Sequence, residues 1–112
     1  MRQVKQATDD DLARFYDGLR LDEWQGYALK KGRLVQAFGL ILRGKDGHLY
    51  GALDIPAGLR SPMTYRYAKR TLAGLSEPVR VKCDEGIPRA KEFLERLGFV
   101  PDDHKEYMIW RP

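Results

Sequence analysis

One stretch, residues 48–75, most constrains how this chain can fold, because it predicts a strand, a turn and a helix in succession. Its strand part (HLYGALDI) is rich in apolar side chains and ends at Pro56, which cannot donate a ladder hydrogen bond. Ser61 and Pro62 then have the residue types of a helix N-cap and a first helical position. The apolar residues that follow share one helical face: Tyr65, Ala68, Leu72 and Leu75.

The start of this helix is a candidate anion site. A helix that begins just beyond the carboxyl end of a strand points its free amides and its positive dipole end at that place, where phosphate is commonly bound. Arg60 stands at the turn, and Arg66, Lys69 and Arg70 follow on the helix. The alternative is that the turn binds nothing and that these cations form a solvated helix face. Both interpretations remain open from the residues alone.

Length and composition limit the class of protein. With 112 residues, of which 43% are hydrophobic, the chain predicts one small domain, residues 1–112, with a packed core. Cys83 is the only cysteine and the two histidines lack ligand spacing, so we expect no disulfide and no metal site. No segment resembles a signal peptide or reaches the length of a membrane span, so a cytoplasmic protein is expected. The net charge of +4 comes from mixed signs, without a dedicated basic arm.

The remaining chain predicts further strands and helices around this unit. Strands are predicted at residues 2–7, 24–29, 34–43, 79–83 and 106–110, and helices after Thr8 and at 87–97. Turns at 30–33 and 44–47 make residues 24–55 an antiparallel meander, in which Gly39 suggests a bulge. Strand 79–83 should lie parallel to strand 48–55, because a helix separates them.

Three aspartates open the first helix. Asp9, Asp10 and Asp11 follow Thr8, which places Asp11 at the capping-box position and three carboxylates at the positive end of the helix dipole. A metal site is the alternative for such a cluster. We favour the helix cap, which accounts for the same residues without a ligand.

The segment AKEFLERLGF at residues 90–99 resembles the closing helix of the GNAT N-acetyltransferases, which often reads A…FYEKLGF. The preceding VRVKCDEGIP and the late EYMIW lie where that family has them. The resemblance implies a mixed α/β (α+β) fold, in which an antiparallel meander continues into a splayed parallel strand pair, flanked by about three helices. It also implies an acetyl-CoA site, with the pantetheine arm between strands 48–55 and 79–83 and the pyrophosphate at the following turn.

The resemblance assigns coenzyme binding to the end of the central strand and the start of the helix. The residues expected there are Leu53, Ile55, Gly58, Arg60, Ser61 and Arg66. The implied activity is acetyl transfer to an unidentified amine, carried by a small molecule or a protein. Such transfer needs a base, for which Asp54, Asp84 and Glu85 are candidates, although the last two suit a helix cap equally well.

Proton donors and nucleophiles are less clearly marked. Tyr65, Tyr67 and Tyr107 are candidate replacement acids, although aromatic residues on amphipathic elements more often belong to a core. Cys83 has no obvious partner histidine and is interpreted as a buried structural thiol.

Several positions depart from the GNAT pattern. The phosphate turn of that family usually reads Q/R-x-x-G-x-G/A, whereas only Gly58 remains here and Pro62 has no amide to offer. Leu94 occupies the place of the family's general-acid tyrosine, Ile87 that of its asparagine, and residues 19–24 leave no room for its second helix.

These departures favour a second function beside the enzyme. Without the second helix, the cleft that would receive the amine should be open, or covered by a protein partner or a second copy of the chain. The alternative to an enzyme is therefore a non-catalytic binding module. A nucleic-acid binder that uses the basic and aromatic run TYRYAKR ranks third and is not expected.

Overall fold

A mixed sheet is the centre of the computed structural model, which describes residues 2–82, 89–104 and 106–112. In chain order the elements are β1 (Arg2–Gln6), α1 (Asp9–Phe15), β2 (Trp24–Lys31), β3 (Leu34–Arg43), β4 (Leu49–Asp54), a short 3-10 helix (Ala57–Leu59), α2 (Pro62–Ala73), β5 (Val79–Lys82), α3 (Ala90–Leu97), β6 (Val100–Pro101) and β7 (Tyr107–Trp110). The seven described strands are ordered β1-β2-β3-β4-β5-β7-β6. No helix in the described ranges has the length and apolar character needed to cross a membrane.

The pairing of the strands confirms the predicted fold class. Strands β2, β3 and β4 form the antiparallel meander, and β5 lies parallel to β4 after the crossover through α2. The short strand β6 was not expected from the sequence. It pairs with β7 at the edge of the sheet.

The bulge predicted at Gly39 is wrong. Gly39 lies in regular ladders, opposite Tyr27 on one side and Leu53 on the other. The register shifts instead between Leu29 and Lys30 of β2. Leu29 is paired with Ala37 and Lys30 with Val35, so Gln36 is the additional residue of β3. A Cβ on Gly39 would lie 2.9 Å from Leu53 Cδ1, so the glycine accommodates a neighbouring side chain rather than an irregular backbone.

The two faces of the sheet carry separate cores, because side chains alternate along each strand. One face, here called the α2–α3 face, packs against both of those helices. Its buried residues are Ile41, Leu49, Leu72, Val79, Val81, Leu94, Leu97, Phe99 and Met108. The opposite face, here called the α1 face, packs against α1. Its buried residues are Leu12, Ala28, Phe38 and Leu40.

The helix ends confirm the caps predicted at Thr8 and at Ser61. The Thr8 side chain accepts from the Asp11 amide at 3.1 Å, and the Asp11 carboxylate accepts from the Thr8 amide at 3.0 Å, as in a capping box. Ser61 is the N-cap of α2, with proline at the next position. Gly98 ends α3 at a φ of 103°, and the Phe99 amide donates back to the Leu94 carbonyl. Ile87, predicted as part of this last helix, lies outside the described residues.

Asp11, the third residue of α1 and part of its capping box, is a buried carboxylate. It is only 3% exposed, and the Lys30 ammonium donates to its Oδ1 at 2.7 Å. Burial alone would raise the pKa of Asp11, but the hydrogen bonds from Lys30 and Thr8 outweigh burial and lower the pKa below 3.8. Its stabilisation is therefore present above the ordinary pKa and is lost as the pH falls through the lower folded-state pKa.

Replacing Asp11 with asparagine should lower the free energy of unfolding at neutral pH by about 1.5–3 kcal/mol, the usual contribution of hydrogen bonds to a charged group. Denaturant titrations of both proteins should show the difference shrinking as the pH falls below the ordinary carboxyl pKa, because the parent carboxylate then takes up a proton. The matched control is D10N, because the Asp10 side chain is 70% exposed and pairs with Arg14 at the surface. If D10N lowers the free energy of unfolding as much as D11N does, the stabilising role given to the buried Asp11 carboxylate is wrong.

Candidate functional site

Strands β4 and β5 pair over a short distance and then part. Their parallel register joins Leu49 to Val79, Tyr50 to Arg80 and Gly51 to Val81. Beyond Gly51, β4 continues to Asp54 with β3 as its only partner among the described strands, while β5 continues beside β7. The backbone of residues 52–54 therefore faces a gap in the middle of the sheet.

A cavity of about 200 Å³ occupies this gap. On the side of the sheet, it is lined by residues 51–54 of β4, by Ile55 directly after that strand, and by residues 81–82 of β5. Helix α3 closes one side with Ala90, Phe93 and Leu94. Two cationic residues, Arg60 and Lys82, and one carboxylate residue, Asp54, complete the lining.

Arg60 is held by its own loop. Its Nε donates to the Ile55 carbonyl at 3.2 Å, and the residue is half-buried. The arginine was predicted at the mouth of the site, and it lines the cavity together with Leu53 and Ile55, two of the other predicted coenzyme residues.

The remaining predicted coenzyme residues lie outside the lining of this cavity. Gly58 is in the short 3-10 helix, and a Cβ there would meet no atom within 4 Å, so the space over its backbone is open. The Ser61 hydroxyl accepts from the Thr64 amide at 3.4 Å as the cap of α2. Arg66 is exposed on the same helix. Among the candidate bases, Asp84 and Glu85 lie outside the described residues, as does Cys83.

Asp54 lies on the α1 face at the end of β4. It is paired across the ladder with Phe38, whose ring lies 5.6 Å from the ring of Tyr16 at the end of α1. The Tyr16 hydroxyl donates a hydrogen bond to Asp54 Oδ2. Burial and this hydrogen bond raise the pKa of Tyr16 above its ordinary value, so the phenol stays protonated and remains a donor.

Sequence reasoning missed Tyr16. Its spacing with Leu12, Phe15 and Leu19, an i, i+3, i+4, i+7 stripe, predicts a core residue. Its partner Asp54 is 38 residues away in the chain. The tyrosines that were predicted as acids lie elsewhere: the Tyr65 hydroxyl donates to the Arg96 carbonyl, and the Tyr107 ring packs on Tyr50. Leu94 lines the cavity as an apolar residue.

The basic and aromatic run on α2 has a local explanation. The Lys69 ammonium lies 5.8 Å from the centre of the Tyr65 ring, and the Arg70 guanidinium lies 5.5 Å from that of Tyr67. These cation–π pairs are spaced three or four residues apart, as neighbours on one helix are. The interleaving of charges and rings is therefore accounted for within the helix.

The connection between α1 and β2 contains no helix, as residues 19–24 predict. Residues 16–23, all of which are described, connect α1 to β2 by a turn and a bend, without a helix. The α1 face beside Asp54 is thus flanked by α1 alone among the described helices.

Two solved structures share this fold. The crystal structure of Escherichia coli ElaA is similar over 99% of this chain and 100% of that chain, with 14% sequence identity and a TM-score of 0.63. The structure of the AtaT–AtaR complex bound to DNA is similar over 96% of this chain and 93% of that chain, with 12% identity and a TM-score of 0.58. Neither a protein-family model nor a curated protein matches the sequence at a significant level. The structural matches show that the chain has the fold of the GNAT superfamily, as its element order and closing helix indicate.

Proposed function

We propose that this protein is an acetyl-CoA-dependent N-acetyltransferase that acts in the cytoplasm on an amine of a small molecule or a protein. The observation that carries the proposal is the gap between β4 and β5, where the parallel ladder ends at Gly51 and Val81 and a cavity of about 200 Å³ opens. Exposed strand backbone at residues 52–54 suits the amide groups of a pantetheine arm, which pair with main-chain donors and acceptors.

The charges around the gap fit the phosphates of coenzyme A. Arg60 and Lys82 line the cavity, and the start of α2 directs its dipole toward the same loop. Pro62 supplies no amide there, so the guanidinium of Arg60 has the larger share in holding an anion. The coenzyme, when bound, would supply a thioester whose acetyl group passes to the amine and whose sulfur leaves as a thiol.

Asp54 is the residue that we assign as base. An amine can attack only after it has lost a proton, and a carboxylate within reach of the gap can accept that proton directly or through one water. The Tyr16 hydroxyl donates to Oδ2 of Asp54, so Oδ1 is the oxygen that we assign to accept the proton of the amine. Tyr16 acts in this scheme as a positioning residue, and Asp54 can return the proton when the thiol is formed.

Replacing Arg60 with alanine should weaken the binding of coenzyme A by about 1–3 kcal/mol, roughly 5- to 150-fold, the scale of a charge-assisted hydrogen bond. The free energy of unfolding should fall as well, by about 0.5–1.5 kcal/mol for the hydrogen bond to the Ile55 carbonyl. Isothermal titration calorimetry with coenzyme A and acetyl-CoA measures the affinity.

The control is K45A, which removes the same charge from an exposed turn at the hairpin of residues 44–47. Its affinity for coenzyme A should equal that of the parent. If R60A and K45A bind equally well, the phosphates lie elsewhere. If the parent shows no heat at millimolar coenzyme A, the enzyme proposal fails.

The second candidate is a binding module with a GNAT fold. It is favoured by Pro62 at the phosphate turn, by Leu94 in place of the usual tyrosine, and by the missing helix between α1 and β2. Such a module would cover its open α1 face with a protein partner or a second copy. The calorimetric experiment separates the two functions, because only the enzyme requires affinity for acetyl-CoA.

A further inference from the structure

A second pocket lies beneath α2 on the α2–α3 face. It encloses about 120 Å³ between the helix and the sheet. The register places Tyr27, Gly39 and Leu53 in one row across β2, β3 and β4, and all three line the pocket. Gly39 has no side chain, and the Leu53 side chain reaches over it in the middle of this row.

The walls of this pocket are apolar. Ala68 and Leu72 face it from α2. The rings of Tyr27 and Tyr67 lie 5.5 Å apart on its lining, and the Thr71 hydroxyl donates to the Tyr67 carbonyl at 2.9 Å. The polar atom of Thr71 is thus paired within the helix. Such a pocket favours an apolar ligand, to which it offers contact area and few hydrogen bonds.

The pocket adjoins the gap between β4 and β5, because the two cavities share part of their lining. The residues that line both cavities are Gly51, Ala52, Leu53, Ile55, Val81 and Leu94. Gly51 and Val81 form the last pair of the parallel ladder, so the two cavities meet where the strands part. The Leu53 side chain, which reaches over Gly39, forms part of the boundary between them.

We propose that this pocket holds the carbon chain of an acyl group longer than acetyl, so that the same coenzyme site also takes medium-chain acyl-CoA and binds it more tightly than acetyl-CoA. The inference rests on the proposed coenzyme site in the gap. A cavity of about 150 Å³ with aliphatic walls holds benzene. By that measure, the pocket beneath α2 takes about four or five carbons beyond the thioester carbonyl.

The positions of the two cavities agree with this transfer. The pocket lies on the α2–α3 face, whereas Asp54 accepts from Tyr16 on the α1 face. The acyl chain and the amine would therefore occupy opposite sides of the gap. The reaction itself is unchanged: a C–N bond forms, the C–S bond breaks, and the proton leaves nitrogen for Asp54 and ends on sulfur.

The first experiment uses the unmodified protein and a series of acyl chains. Calorimetry with coenzyme A and with its acetyl, butyryl, hexanoyl and decanoyl thioesters gives the affinity of each. Burial of one methylene is worth about a fourfold gain in affinity. Even with partial burial, we expect hexanoyl-CoA to bind at least about tenfold tighter than acetyl-CoA, with no further gain at decanoyl.

The second experiment fills the pocket. In A68L a larger side chain occupies the space under α2, and the ratio of hexanoyl-CoA to acetyl-CoA affinity should fall toward one. The control is A73L, the same substitution at an exposed position of the same helix, outside the pocket. This variant should keep the ratio of the parent, and circular dichroism checks that both variants are folded.

The outcomes separate this inference from the proposed function. Equal or weaker binding of hexanoyl-CoA beside clear binding of acetyl-CoA overturns the acyl pocket and leaves the enzyme proposal in place. A hexanoyl preference that A73L retains and A68L loses supports the pocket. Absence of binding for the whole series, coenzyme A included, overturns the proposed function and the inference together.

Discussion

Replacing Asp54 with asparagine should lower the rate of amine acetylation about 100- to 10,000-fold, the usual contribution of a general base. The amide still accepts a hydrogen bond from Tyr16 but cannot take up the proton of the amine. Because the shape of the gap is unchanged, the affinity for coenzyme A should stay close to that of the parent. The rate is measured as release of free thiol from acetyl-CoA or hexanoyl-CoA with a panel of primary amines, including a polyamine and a lysine peptide.

The chain offers a matched control for this experiment in Asp46. Its carboxylate also accepts from a tyrosine, with Tyr50 Oη at 2.5 Å, but it stands exposed in the hairpin turn. D46N should leave the rate unchanged. Removal of a general base lowers a rate about 100- to 10,000-fold. If the rate of D54N stays within about threefold of the parent rate, Asp54 is not the base.

Tyr16 has a distinct signature if it positions Asp54. Y16F keeps the ring contact with Phe38 and removes only the hydroxyl donor. We expect a smaller loss of kcat than in D54N, an unchanged KM for the acyl-CoA, and no additional loss when Y16F is combined with D54N. Independent, multiplying losses would mean that the two residues act separately.

Replacing Phe38 with alanine should lower the free energy of unfolding by about 3–5 kcal/mol, the range for loss of a buried aromatic side chain. Phe38 is 1% exposed, and its ring lies within 6 Å of three others. Those rings belong to Phe15, Tyr16 and Trp24. The substitution therefore removes the residue against which α1 packs, and the loss is a large fraction of the stability of a small domain.

Chemical denaturation monitored by circular dichroism measures this loss. The control is L34A on the same strand, because Leu34 is 60% exposed. Its effect should stay within about 0.5 kcal/mol. A loss of less than about 1 kcal/mol in F38A would mean that α1 is not seated on β3 as described.

Short-range signals in the sequence account for the features that could be predicted. The capping box depends on Thr8 and Asp11 alone, and the hairpin turn on Asp46 and Gly47, whose φ is 85°. The end of α3 at Gly98 also depends on a local signal, because a left-handed helix cap favours glycine. Each of these features is fixed by residues a few positions apart, so the local sequence is sufficient.

The features that could not be predicted depend on distant contacts. The bond between Tyr16 and Asp54 requires that α1 lie across β3, and no local pattern in the sequence records this. The bulge was predicted at Gly39 because a glycine in a strand suggests one. The pairing of β3 with β2 decides where the additional residue lies, and the glycine itself does not. The strand β6 has two residues, one of them proline, which is too short for a pattern.

The two outer strands of the sheet restrict how another chain can attach. Strand β1 presents exposed Arg2 and Lys5 at one margin, and strand β6, with Pro101, ends the other. Charged side chains, brevity and proline at such margins oppose the addition of a further strand from a neighbouring molecule. The sheet is therefore protected against edge-to-edge growth into aggregates, and a protein that associates with this chain has to approach through a face of the sheet or through a helix.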